Sequence, residues 1–138
     1  MKKFNFSILA AMLIFAFIVA TVPAQAKKSE QARAWKQFQA AISKNDKTAV
    51  AAMIKFPFEA SIAGSEVDYK IETKADFIKN YARIFTAARR GKIACGKIKP
   101  TPGEDGFGFE MYEDGGYHVF TFRKIGGAYK LVGTMAAG

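Results

Sequence analysis

His118 is the only histidine of the chain and the first candidate for acid–base chemistry. Strand alternation places its side chain on the same face as Phe120 and Phe122. A general base needs a pKa near the working pH and a partner within hydrogen-bond reach. Glu110 and Tyr112, on the preceding strand across a glycine turn, are the candidate partners. An isomerase- or hydrolase-type enzyme using His118 is therefore an alternative, but one histidine without a partner motif favours a protein that is not an enzyme.

Cys95 is the single cysteine, so an internal disulfide is excluded. It could act as a nucleophile only with a base beside it. We expect a buried, inert thiol, because unpaired cysteines are among the most buried residues. One histidine and one cysteine with scattered carboxylates do not form a metal-ligand set, and we expect no metal and no cofactor.

The chain carries a formal net charge of +9, which favours anionic partners such as lipid head groups or acidic proteins. The alternative is a basic protein whose charge only prevents self-association. Residues 83–99 contain basic side chains and no acidic ones. Cations near a helix C-terminus, each favoured by about 0.3–1 kcal/mol, explain part of this run. The residues predicted to form a basic edge for an anionic partner are Arg89, Arg90, Lys92, Lys97 and Lys99.

The N-terminus has the order of a secretory signal peptide. Lys2 and Lys3 precede an apolar run over 8–20, and Pro23 precedes the small-residue site at 24–26. The run is shorter than the roughly 20 residues that a membrane span needs, which disfavours an uncleaved anchor. We expect cleavage after Ala26, a signal peptide over 1–26, one domain over 27–138, and a periplasmic or secreted protein for which nucleic acid is an improbable partner.

Hydrophobic periodicity predicts an α+β domain. Thr73 and Asp76 resemble a capping box that starts the third helix, and Gly91 is expected to end it. The predicted helices are 31–44, 47–54 across an Asn45-Asp46 turn, and the helix from Thr73 to Gly91. The predicted strands are 58–63, 67–71, 92–99, 107–112, 117–124 and 129–135.

This order of elements resembles the cone-shaped, cystatin-like superfamily of ketosteroid isomerase and nuclear transport factor. The resemblance rests on two segments of the sequence: the hairpin at Asn45-Asp46 leading into 56–58, and the segment 73–81 with Ile84-Phe85. The resemblance implies a helical hairpin and a third helix packed on a curved, mostly antiparallel sheet around a conical pocket. Members include isomerases, dehydratases, hydrolases and binding proteins, and none of their enzyme motifs matches this sequence residue by residue. The residues expected to line the cone are His118, Glu110, Tyr112, Tyr81 and Phe120.

The sequence thus favours an exported, non-catalytic binding module. It would hold an apolar small molecule in the cone or an acidic envelope partner on the basic edge. A third hypothesis is an inhibitor or immunity-type protein acting through a projecting loop at 100–106. Apolar residues on both faces of the last strands also predict a homodimer through the open face of the sheet.

Overall fold

The computed structural model describes residues 22–61, 68–113 and 116–137. The chain divides into two compact units, Met1–Glu30 and Gln31–Gly138. Within the described residues of the first unit the backbone is helical. The second unit contains the sheet and the other helices. None of the helices in the described ranges is long and apolar enough to span a membrane.

The described residues form four helices and six strands, in the order two helices, two strands, two helices and four strands. The helices are α1 (Val22–Ser43), α2 (Lys47–Ala52), α3 (Lys74–Ile84) and α4 (Ala87–Ala94). The strands are β1 (Ile54–Ser61), β2 (Asp68–Ile71), β3 (Thr101–Pro102), β4 (Gly106–Glu113), β5 (Gly116–Ile125) and β6 (Ala128–Ala137). They form one curved sheet in the order β2-β1-β6-β5-β4-β3, with β1 and β6 parallel and every other neighbouring pair antiparallel. The predicted α+β class and mostly antiparallel sheet are confirmed.

Side-chain caps start helices α2 and α3, and the predicted cap at Thr73 is present. Asn45 adopts a positive φ of 52°, and Asp46 accepts a hydrogen bond from the Ala49 amide at 2.9 Å. Thr73 accepts from the Asp76 amide at 3.1 Å and donates its hydroxyl to the Asp76 carboxylate at 2.6 Å. These side chains satisfy amide groups that a helix start leaves unpaired. They fix the points where α2 and α3 begin.

The predicted third helix is wrong in its length. It ends at Ile84, and Thr86 caps a separate helix, α4, in which Gly91 is an interior residue. Two arginines of α4 explain the break. Arg89 Nη1 donates to the Ile84 carbonyl at 2.7 Å, and Arg90 Nη1 donates to the Phe85 carbonyl at 2.5 Å. In a continuous helix, backbone amides of the next turn would donate to these two carbonyls. Here the two guanidinium groups donate to them instead.

Three other boundaries differ from the sequence prediction. The predicted strand over 92–99 is helix α4 as far as Ala94, and the short β3 lies in the segment predicted as a loop. Helix α2 ends at Ala52 and β1 begins at Ile54, before Pro57, because Leu131 of β6 donates its amide to the Met53 carbonyl at 2.8 Å. This long-range bond draws the chain into the sheet. Residues 62–67 of the two predicted early strands lie outside the described residues.

Aromatic rings fill the space between the sheet and the helices. Phe109 and Phe120 stack with centroids 4.5 Å apart, and Phe107 and Phe122 stack at the same distance. Phe38 of α1 meets Phe122 edge-on at 5.1 Å. Such pairs add specific geometry to the burial of apolar surface. The inner face of the sheet is therefore packed against side chains of the protein itself.

Candidate functional site

His118 lies on the inner face of β5, as the alternation predicts, and is 8% exposed. Its backbone partner across the β4–β5 ladder is Met111. The acidic group beside it is Glu113, whose Oε2 lies 3.9 Å from His118 Nε2. Glu113 ends β4, two residues beyond Met111, and therefore shares the inward-facing side of that strand.

Arg89 is fully buried and binds the same carboxylate. Its Nε donates to Glu113 Oε2 at 2.7 Å, and its guanidinium carbon lies 5.9 Å from the Phe120 ring centroid. A buried charge is tolerated when it is paired and hydrogen-bonded. Arg89 donates to Glu113 and to the Ile84 carbonyl, whereas Glu113 Oε1 has no hydrogen-bond partner among the described residues. The Arg89–Glu113 pair joins helix α4 to the end of strand β4. The carboxylate next to His118 is thus engaged by an arginine.

Glu110 and Tyr112 lie on the opposite face of the sheet from His118. Glu110 pairs with Val119 and Tyr112 pairs with Tyr117, and both Glu110 and Tyr112 are exposed. The prediction that they neighbour His118 inside the cone is wrong, because residues an odd number of positions from Met111 face outward. Sequence reasoning missed Glu113, which the same alternation, counted from Met111, would have found.

Tyr81 and Phe120, the other two expected cone-lining residues, are both completely buried. Burial raises the pKa of the Tyr81 hydroxyl above its usual 10.0, while the Arg90 charge lowers it and the Asp46 charge raises it. The hydroxyl has no hydrogen-bond partner among the residues that the structure describes. The two side chains are core residues packed in the aromatic cluster.

The predicted basic edge is only partly present at the surface. Arg89 does not belong to it, because its guanidinium is buried. Lys92, Lys97 and Lys99 are exposed, and Arg90 is half-buried. We call these four residues, Arg90, Lys92, Lys97 and Lys99, the basic border. Lys92 Nζ donates to the Tyr112 carbonyl at 2.7 Å, which ties the border to the end of β4.

Cys95 is exposed, contrary to the expected buried thiol, and its Sγ donates to the Lys92 carbonyl at 3.1 Å. It follows the last residue of α4, on the solvent side of that helix. No cluster of three or more histidine, cysteine or acidic side chains that could hold a metal occurs among the described residues.

A shallow depression of about 290 Å³ opens beside the β3–β4 connection. It overlaps the loop that the sequence proposed as a projecting inhibitory element. Its lining residues are Gly103, Glu104, Asp105, Gly106, Phe107, Gly108, Thr121, Phe122 and Arg123. It lies on the surface, apart from the buried Arg89–Glu113 pair.

No protein-family model and no curated protein matches the chain. The chain is similar to several solved structures. An NTF2-like protein with a cystatin-like fold from Novosphingobium aromaticivorans is 15% identical with a TM-score of 0.47, covering 99% of this chain and 91% of that one. A de novo designed protein with a curved β-sheet is 16% identical, TM-score 0.48, covering 80% and 99%. A designed NTF2 protein is 13% identical, TM-score 0.44, covering 80% and 99%. NTF2-like proteins are in the superfamily to which the sequence resemblance points.

Proposed function

We propose that this chain is a non-catalytic binding module that holds an acidic partner on its basic border. The observation that carries the proposal is the burial and close packing of the aromatic side chains on the inner face of the sheet, among the residues that the structure describes. The inner face of the sheet stacks ring against ring, from Phe107 to Phe122 and from Phe109 to Phe120. With the interior occupied by its own side chains, recognition moves to the surface. There the basic border presents three exposed lysines within 92–99, and the run 83–99 contains no acidic residue.

An enzyme using His118 is less well supported. His118 is almost buried, and its nearest carboxylate already accepts from Arg89. Glu110, the acidic partner that the sequence suggests, lies on the other face of the sheet. General acid–base catalysis needs a group that can reach a substrate proton. A buried histidine beside an ion pair fits a structural role better.

An apolar ligand and an inhibitory loop would each make different demands on the fold. An apolar ligand in the cone would have to displace packed rings such as Phe38 and Phe85, whose centroids lie 5.8 Å apart. An inhibitor acting through 100–106 would use exposed residues beside the 290 Å³ depression rather than the lysines. Native mass spectrometry of protein purified from its own compartment separates these roles, because it reports small ligands and protein partners together.

The signal-like N-terminus supports export as part of the same proposal. The basic border would then act in the periplasm or the medium, where an acidic envelope component is the expected partner. The exposed Met135 side chain on the outer face of the sheet, at 65%, supports a homodimer as a further element of the proposal.

The test compares two double charge reversals of equal net charge. Lys97→Glu/Lys99→Glu alters the border, and Lys36→Glu/Lys79→Glu alters exposed lysines on α1 and α3. The probe is poly-L-glutamate, and the readout is its dissociation constant at low salt. Each exposed ion pair contributes up to about 1 kcal/mol and is replaced by a repulsion of similar size, so we expect the border variant to bind about ten-fold more weakly or worse. Equal weakening by both variants would overturn the proposal.

A further inference from the structure

The basic border is continuous with an aromatic pair on the outer face of the sheet. Lys92 Nζ reaches the Tyr112 carbonyl at 2.7 Å. The Tyr112 ring lies 5.9 Å from the Tyr117 ring, centroid to centroid, across the β4–β5 ladder. Tyr112 is 73% exposed, the most exposed of the large hydrophobic side chains in the described ranges. Lys92 and the Tyr112–Tyr117 pair therefore share one end of the sheet.

The path of the backbone places the other two lysines along the same edge. The segment 95–100 leaves α4 beside Tyr112, where Lys92 bonds, and enters β3, where Thr101 pairs with Gly108 of β4. The segment therefore starts and ends beside β4. Ile98 packs against the core, while Lys97 and Lys99 on either side of it are exposed. This alternation directs both lysines outward along the strand that carries Tyr112.

We propose that the basic border and the Tyr112–Tyr117 pair dock this protein on an anionic lipid surface. The inference rests on the proposed function and names the acidic partner as the phosphate-bearing head groups of a membrane. Lysine is a compact point charge that attracts phosphate without a fixed paired geometry, whereas arginine binds both carboxylate and phosphate through a rigid fork of donors. The three exposed border cations are lysines, and the half-buried Arg90 is held by the Phe85 carbonyl. Tyrosine has an apolar ring and a polar tip, and it is enriched at membrane–water interfaces.

Glu110 marks the limit of this surface. It is exposed on the outer face of β4, two residues from Tyr112. A carboxylate there opposes an anionic membrane. The docking surface therefore lies beyond Glu110, at the end of β4 that carries Tyr112 and that Lys92 of α4 contacts. Neutralising Glu110 is expected to strengthen binding, whereas a structural role of the lysines alone predicts no such effect.

The experiment uses the chain as its host produces it, with vesicles of phosphatidylcholine alone and of phosphatidylcholine mixed with phosphatidylglycerol. The readout is the ratio of the two partition constants, which cancels any lipid binding by a retained apolar N-terminus. A lysine near an anionic surface contributes about a five-fold factor. We expect Lys97→Gln/Lys99→Gln to lower the ratio about 25-fold, and Glu110→Gln to raise it. Tyr112→Ala should weaken binding of the protein to the mixed vesicles. The matched control, Lys36→Gln/Lys79→Gln, should bind the mixed vesicles with nearly the affinity of the unaltered protein.

The outcomes distinguish this inference from the proposed function. Loss of the anionic preference as ionic strength rises would support docking through exposed charge. Equal partitioning of the unaltered protein into both vesicles would overturn it. So would a ratio unchanged by the border substitutions. If poly-L-glutamate still binds through Lys97 and Lys99 in that case, the proposed function stands and its partner is an acidic protein.

Discussion

Arg89 determines how helix α4 is attached to the sheet. The side chain is completely buried and bonds both to Glu113 and to the Ile84 carbonyl. Removing one member of a buried ion pair leaves the other charge without its counter-ion in a poorly solvating environment. Removing either charge alone should therefore destabilise the fold more than its own contacts would suggest, whereas removing both charges together should leave no unpaired charge.

We expect Arg89→Leu to lower the free energy of unfolding by about 3–5 kcal/mol. The double variant Arg89→Leu/Glu113→Leu should lose clearly less than the sum of the two single changes, since neither charge is then left behind. Urea denaturation of the four proteins of the cycle measures this coupling. Arg33→Leu, at an exposed position of α1, is the control and should change stability by no more than about 0.5 kcal/mol. Additive losses would contradict the coupling.

Tyr81 carries a buried hydroxyl without a hydrogen-bond partner among the described residues. An unsatisfied buried polar group costs about 1–3 kcal/mol, so Tyr81→Phe should raise the free energy of unfolding by about 1 kcal/mol. Tyr112→Phe, at an exposed ring, should have no effect. A decrease in stability on Tyr81→Phe would show that the hydroxyl makes a favourable interaction.

The contribution of Tyr81 to the free energy of unfolding depends on pH. Burial raises the pKa of Tyr81 in the folded protein above 10.0. As pH rises, the unfolded chain loses its phenolic proton first and binds fewer protons than the folded one. The contribution of Tyr81 to stability is therefore constant at neutral pH and falls as pH rises above about 10. Tyr81→Phe should reduce this alkaline loss in urea denaturation measured at several pH values.

The sequence predicted the direction of His118 but not its surroundings. Alternation with Phe120 and Phe122 is a local pattern, and it was sufficient to place His118 on the inner face. The partner of Glu113 is Arg89, 24 positions earlier in the chain. Charge in a sequence suggests exposure, and only the packing of α4 on β4 shows that this arginine is buried. The prediction of Arg89 as a surface cation failed for that reason.

At the scale of elements, replacing glycine by alanine should have opposite effects on the free energy of unfolding at Gly106 and at Gly91. A Cβ added to Gly106, at the start of β4, would lie 1.8 Å from the Phe122 carbonyl oxygen, so the paired strands would have to separate. Gly91, inside α4, has nothing within 4 Å of its added Cβ. We expect Gly106→Ala to lower the free energy of unfolding by about 2–3 kcal/mol. Gly91→Ala should raise it by about 0.5–1 kcal/mol, the difference in helix propensity. Thermal unfolding of both variants measures the two signs, and a stable Gly106→Ala would contradict the register of β4 and β5.

Element prediction succeeded where local signals were sufficient. Thr73 and Asp46 mark helix starts through side-chain caps, and the β4, β5 and β6 hairpins follow two-residue alternation. It failed where side-chain donors or distant groups decide. The α3–α4 break involves arginine side chains that donate to carbonyls five positions earlier, and the end of α2 involves an amide of β6. Hydrophobic periodicity contains neither contact.

At the scale of the whole molecule, the fold divides the basic run over 83–99 between the interior and the surface. One member of the basic run, Arg89, is neutralised inside, and the lysines on the adjoining segment face solvent. The homodimer through the outer face of the sheet stays a prediction, as do export and cleavage after Ala26. The proposed binding role depends on the separation between a filled interior and a charged border.

Amide chemical shifts during titration with poly-L-glutamate test this separation most directly. We predict saturable shifts concentrated in 90–99 and at Tyr112, with the amides of the inward-facing strand residues Phe109, Phe120 and Phe122 unchanged. Shifts centred on those inner-face residues, or spread evenly over all exposed lysines, would contradict the claim that this protein binds an acidic partner at its basic border.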